Sequence, residues 1–350
     1  MPFARLKDRE SSCEKARDLK NQRTEEKNPK PRTYHSRNNT KKKSASMSKL
    51  SPSLKALINA PFARPGQAPA PRHIRDVYTR IAREARERQY GDRPWVTLSA
   101  AATFTLNSPA ALLELHALVP DLTSPSSSLT PLSTAELLRE IGLKCISFNG
   151  IPRTINTLGA FRQGIAHHPW AAQLATDPSR QVSPDNVDAV ARRGKELWES
   201  IYTPFEGKLV AKLAESHPDL PVHILGSHYG PLLADPERGG QGHGQGQQKQ
   251  GQLGVVGRTL TSVVAVACLR AQTGVGPQVV SHVFGLRKAV EQGAHREEFV
   301  GLVAEGEKEA EGIERLAGDE GCEWLLKSVD AIAEAVGGSF ARWDGEKAKI

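Results

Sequence analysis

Apolar side chains recur in this sequence at helical intervals, and that spacing decides its class. After Ser183-Pro184, the residues Val187, Val190, Leu197, Trp198, Ile201, Phe205, Leu209 and Leu213 fall on one stripe, with charged residues on the opposite face. Upstream, Leu137, Leu138, Ile141, Cys145 and Phe148 repeat at the same period behind Ser133 and Glu136, which have the spacing of a capping box. That segment is expected to end at Gly150-Ile151-Pro152, with a new helix from Arg153 carrying Ile155, Leu158 and Phe161. Arg75 to Arg88, Trp95 to Leu106, Pro109 to Leu118, Arg258 to Ala271, Pro277 to Gln292 and Arg296 to Leu316 read as further helices, Pro109 being well placed in a first turn. Strand-like alternation is nowhere sustained. The expected fold class is therefore all-α.

Charge separates the ends of the chain. The first fifty residues hold 15 Lys/Arg against 6 Asp/Glu, a net of +9, so a total of +8 over 350 residues leaves the rest about neutral at −1. The basicity therefore belongs to a polar leader, residues 1–50, that cannot bury enough apolar surface to order itself and is expected to be disordered. Nucleic-acid binding would call for basic residues on a folded face beside stacking aromatics, so no nucleic-acid partner is expected. The longest apolar run, Val263 to Leu269, falls far short of the roughly 20 residues of a membrane span, so no membrane partner is expected either. Leu50, Leu54, Leu57 and Ile58 lie beside Lys49 and Lys55 in a stretch without an acid from Lys27 to Arg75, a composition shared by mitochondrial presequences and ordinary first helices. Ala348-Lys349-Ile350 is a loose relative of the peroxisomal Ser-Lys-Leu address. The expectation is an intracellular protein, cytoplasmic or mitochondrial, with the peroxisome also open. Gly239 to Gln252 is Gly/Gln low complexity without packing side chains and reads as a flexible insertion between a 51–238 part and a 253–350 part.

Three segments carry a family resemblance: Arg258-Thr-Leu-Thr-Ser-Val-Val-Ala-Val-Ala, Gly274-Val-Gly-Pro-Gln-Val-Val-Ser-His282, and Gly293-Ala-His-Arg-Glu-Glu-Phe299. Together they resemble the pattern of carboxymuconolactone decarboxylase-like domains, in the alkyl hydroperoxidase D-like superfamily: an Arg opening an apolar helix, a His on the next, and a Gly before a Glu-Glu-apolar helix start. Thr134 to Glu140 and Phe148 to Asn156 resemble the second half of the same pattern, and Leu106 to His116 echoes the turn before His282. The chain thus reads as two related repeats, roughly 72–165 and 220–316. The resemblance implies an antiparallel helical bundle of two alkyl hydroperoxidase D-like repeats that assembles as a homo-oligomer and needs no cofactor or metal.

That superfamily holds two chemistries, decarboxylation of a lactone acid and thiol-based peroxide reduction. The second uses a Cys-x-x-Cys pair, absent here, where Cys13, Cys145, Cys268 and Cys322 are far apart. For the first, the small-molecule substrate would offer its carboxylate to Arg258, His282 would transfer the proton and Glu140 would orient the His or serve as a second acid. Each has a structural reading as well. His282 borders an apolar face, Glu140 and Lys144 are spaced as an i,i+4 ion pair, and Arg258 opens a helix where a cation opposes the macrodipole, a cost that favours a specific partner such as Glu140 or a bound anion. Arg153 and Asn156 sit at a helix start able to hold a substrate anion, although turn chemistry explains them too. Cys145 and Cys268 lie on apolar faces and read as buried small residues. The spacing of His217, His223 and His228 does not put two imidazoles on one helical face, so no metal site is expected. A non-catalytic oligomeric scaffold of the same fold is the alternative, and a peroxide-reducing thiol protein a further one.

Overall fold

The computed structural model describes residues 50–236, 254, 256–301 and 305–337. The leader as far as residue 49 and the tract 239–252 lie outside them. Every regular element among the described residues is helical, and no strand occurs among them. Two compact units are separated at Arg64–Pro65. The first contains helix α1 (Pro52–Ile58), opened by Ser51, whose hydroxyl accepts from the Leu54 N–H at 3.2 Å.

The second unit is organised on two helices, α3 (Asp92–Thr105) and α12 (Gly257–Gln272), that are buried over most of their circumference. A helix without a polar face must be surrounded, and here each covers the other. Ala100, Ala101 and Ala102 on α3, and Ala265 and Ala267 on α12, are fully buried small residues that let helices approach closely. Each turns into a hairpin partner: α3 through Asn107, at φ 54°, into α4 (Pro109–Leu122), and α12 through Thr273 and Gly274, at φ 63° and 75°, into α13 (Gly276–Glu291). Such short connections force antiparallel neighbours. The parts before and after the Gly/Gln-rich tract therefore share one core.

Around this centre lie α2 (Ile74–Glu87), α5 (Pro131–Lys144), α6 (Ile146–Asn149), α7 (Ile151–Gly164) and α16 (Asp319–Val336). Helix α5 begins earlier than the Ser133–Glu136 spacing suggests. Thr130 caps it, accepting from Ser133 N–H at 3.3 Å, with Pro131 in the first turn, while Glu136 is drawn to the Ala175 N–H at 2.6 Å. Helix α7 starts at Ile151, before the expected Arg153. The long amphipathic stretch is two helices, α8 (Val187–Tyr202) and α9 (Glu206–Ser216), because Pro204 has no N–H with which to continue α8. It is followed by α10 (Asp219–His223) and a π-helical turn, α11 (Ile224–Leu233). Helices α8 and α11 meet where Gly194 faces Gly230, so closely that a Cβ on Gly194 would come within 2.5 Å of the Gly230 nitrogen. Trp198, Ile201, Tyr229 and Leu233 form a second, smaller core beside that crossing. The expected helix 296–316 is likewise two, α14 (Ala294–Phe299) and α15 (Gly306–Leu316).

Candidate functional site

The side chains expected to act together are each held elsewhere. His282, on the inner side of α13, is only 9 % exposed and presses edge-on against Phe148 of α6, with ring centroids 5.8 Å apart. Its Nδ1 is sealed from solvent and makes no hydrogen bond. Burial lowers its pKa to about 4, so the ring is a neutral imidazole at pH 7. Arg258, whose pKa burial also lowers, donates through Nη2 to the Ser200 carbonyl at 2.6 Å and through Nη1 to the Gln292 side chain. Gln292 ends α13, ten residues beyond His282, which at the helical rise is roughly 15 Å along the axis. Glu140 accepts from Arg180 at 2.6 and 3.2 Å and lies 4.0 Å from Lys144 Nζ. Among the described residues no hydrogen bond or ion pair joins any two of Arg258, His282 and Glu140.

Glu140 belongs to a network at the start of α12. Lys144, which has no exposed side-chain surface, donates to the Leu233 carbonyl at 2.5 Å and to Asp235 at 2.6 Å. Asp235 in turn accepts from the Gly257 N–H at 2.8 Å and lies 3.5 Å from Arg180. Burial pushes both acids up, and the outcome differs. Burial prevails at Glu140, whose pKa is raised despite Lys144 and Arg180, whereas Lys144, the nearer cation, brings Asp235 below its usual range.

The next two N–H groups of α12 are taken by Glu298 of α14, which accepts from the backbones of Arg258 and Thr259 and from the Thr259 hydroxyl. Glu309 of α15 does the same for α3, accepting from the Asp92 N–H at 2.8 Å and the Arg93 N–H at 3.4 Å. Burial raises each of these carboxyls to a pKa of about 7 in spite of the donors around it. Both caps need a glycine in the left-handed region. A Cβ on Gly91 (φ 87°) would stand 2.5 Å from a Glu309 oxygen, and one on Gly257 (φ 63°) 2.5 Å from the Glu298 carboxyl carbon.

Arg153 of α7, whose pKa burial lowers, reaches the Thr105 carbonyl at the end of α3 at 2.6 Å. Asn156 is exposed, and its backbone carbonyl accepts from the Gln67 side chain at 3.2 Å. From Arg153 a polar seam runs inward. The Thr105 hydroxyl, which donates to the Ala101 carbonyl at 2.8 Å, lies 3.2 Å from the Asn149 side-chain oxygen, the Asn149 side-chain amide donates to Cys268 Sγ at 3.6 Å, and Cys268 Sγ lies 3.5 Å from Cys145 Sγ. The sequence places both thiols on buried faces, correctly, but carries no sign that they meet across 123 positions. Two surface hollows, one beside Val300, Glu305 and Lys308 and one beside Arg88, Tyr90 and Arg315, contain none of these side chains. Among the described residues no three His, Cys, Asp or Glu are grouped to hold a metal ion. No helix among them is long and apolar enough to cross a membrane.

No family pattern matches the chain, and no solved structure matches it. It is similar to "Peroxisomal protein 2" of Saccharomyces cerevisiae, 28% identical over 165 residues that cover 42% of this chain and 52% of the yeast protein. The chain thus spans about half the length of that relative.

Proposed function

We propose that this chain is a carboxymuconolactone decarboxylase-like helical protein that works as a peroxisomal homo-oligomeric scaffold, without lactone-acid chemistry at an Arg258–His282–Glu140 centre. The observation that carries the reading is the separate engagement of those three side chains, with Arg258 anchored at the far end of the helix that bears His282. Assembly is supported by apolar side chains exposed one turn apart on the same helix faces: Val280 and Phe284 on α13, and Ile151 and Ile155 on α7. The peroxisomal location rests on the name of the yeast relative.

A second reading, a small-molecule lyase relying on His282 alone, is favoured by the unbonded Nδ1 of a buried imidazole, with Arg153 and Asn156 at the start of α7 as its acid-binding residues. The two are separated by assaying the full chain and His282→Ala for turnover of carboxymuconolactone and related lactone acids, with the mass of both in solution measured by light scattering. An oligomer without turnover is expected. Turnover that disappears in the variant overturns the scaffold reading in favour of the lyase.

A further inference from the structure

The seam that joins the two halves of the core ends in a pair of thiols, each at 0 % exposure. Cys145 is the hinge residue between α5 and α6, and Cys268 lies in the last two turns of α12. Their sulfurs are 3.5 Å apart, so bond formation requires an approach of only about 1.5 Å to reach a disulfide of roughly 2.05 Å. The surroundings make the two unequal. Cys268 Sγ receives the Asn149 side-chain N–H at 3.6 Å, a contact that Cys145 lacks, and its own S–H faces the Ala101 carbonyl at 3.8 Å. Cys145 has Cys268 as its neighbour in a fully buried setting, and burial pushes its thiol well up. Helix α6, which supplies Asn149 to Cys268, is a single turn, Ile146–Asn149, and all four of its residues are partly exposed.

We infer that Cys145 and Cys268 form a reversible disulfide that staples the first-half hinge to α12 when a small hydroperoxide reaches them. Cys268 sulfur attacks the hydroperoxide, taking its terminal oxygen as a sulfenic acid, and the proton of the Cys268 thiol passes to the departing oxygen, which leaves as the alcohol, or as water in the case of hydrogen peroxide. Cys145 sulfur then attacks the Cys268 sulfur and the hydroxyl leaves as water with the proton that Cys145 gives up. Two thiols are oxidised by two electrons and one O–O bond is reduced. A dithiol reverses the cross-link by exchange. This is a stoichiometric change in the protein's own covalent structure, and it stands whether the chain is a scaffold or a lyase.

The test treats the full chain with hydrogen peroxide, blocks remaining thiols under denaturing conditions and maps the peptides without reduction. The expected result is a Cys145–Cys268 linked peptide lighter by two hydrogens than the reduced pair, lost after dithiothreitol, with a melting temperature several degrees above that of the reduced chain. In Cys145→Ser, a sulfenic acid trapped by a cyclic dione at Cys268 is expected, and in Cys268→Ser none at Cys145. Recovery of both thiols fully alkylated after peroxide, or linkage of either to Cys13 or Cys322, overturns the inference. Mapping of the unaltered chain decides the matter even if a variant does not fold.

Discussion

Replacing Lys144 with methionine tests how far the start of α12 depends on one buried cation. The side chain has no solvent contact and donates to a carbonyl at the end of the π-helical turn and to Asp235, which itself holds the Gly257 N–H. Methionine fills similar space but leaves that carbonyl and the Asp235 carboxylate without their donor. Breaking a buried pair by removing one partner costs about 3–5 kcal/mol. The figure belongs at the lower end here, because Arg180 remains 3.5 Å from Asp235 and because Asp235 is 28% exposed. A loss of about 3 kcal/mol is therefore expected, read from the shift of urea midpoint at unchanged slope. Asp235→Asn alone should cost a comparable amount. The double variant should cost less than the two single losses added, since neither charge is then left buried alone, with a coupling of about 1–3 kcal/mol. A Lys144→Met protein within about 1 kcal/mol of the parent, or strict additivity in the double variant, would refute the assignment of this network as a structural lock.

Glu309 carries a pH signature. Its folded pKa, about 7, lies above the ordinary 4.5, so the folded chain holds a proton that the unfolded chain has released between those values. The associated stability, roughly 3 kcal/mol, is fully present below about pH 4.5 and is lost as the pH rises to 7. Glu298 acts in the same sense. Urea unfolding from pH 4.5 to 8 should show a smaller decline in Glu309→Gln than in the parent, and equal slopes would sink the idea. Gly257→Ala should destabilise by about 1–3 kcal/mol, because the new methyl group falls on the Glu298 carboxyl and the backbone stays in the left-handed region, while Gly159→Ala, inside α7 with nothing within 4 Å, should stabilise by about 0.5–1 kcal/mol in the same melt. Phe284→Glu should reduce the mass measured by light scattering with its helical circular dichroism intact; an unchanged mass would show that this face of α13 is not the assembly surface.

Helix existence was legible where one pattern dominates. The reading of Arg75 to Arg88 meets α2 at Ile74–Glu87 within a residue at each end, and Pro109 stands at the first position of α4 as expected. Breaks were less visible. The apolar stripe continues past Pro204 because both α8 and α9 lay their apolar faces on neighbouring parts of the structure, so periodicity alone joined them. Likewise α11, with Gly226, Gly230 and Pro231, has too irregular a composition for a helical reading and exists because Gly194 admits it against α8. The ion pair of Glu140 with Lys144 was readable from spacing, yet its burial was not, since it depends on Arg180 and Asp235 arriving from 40 and 91 residues away. The thiol pair was hidden for the same reason: each cysteine matches its own helix face, and nothing local encodes the other.

The start of α12 shows why sequence and structure point to different uses of one position. An Arg opening an apolar helix, with free N–H groups around it, is what an anion-binding site resembles in a sequence. In the folded chain those donors are already occupied. Gly257 N–H goes to Asp235, and the N–H groups of Arg258 and Thr259 go to Glu298, whose carboxyl sits where only a glycine leaves room. The same arrangement recurs at α3, where Glu309 takes the N–H groups of Asp92 and Arg93 beside Gly91. A carboxylate from solution would have to displace a buried one that is held by several donors and tethered to the same chain, at a cost that a single guanidinium, itself bonded to Ser200 and Gln292, does not offset. Two helix starts built on one plan and each filled from within are what a folding device requires, and they leave the α12 terminus without a vacancy for a substrate acid.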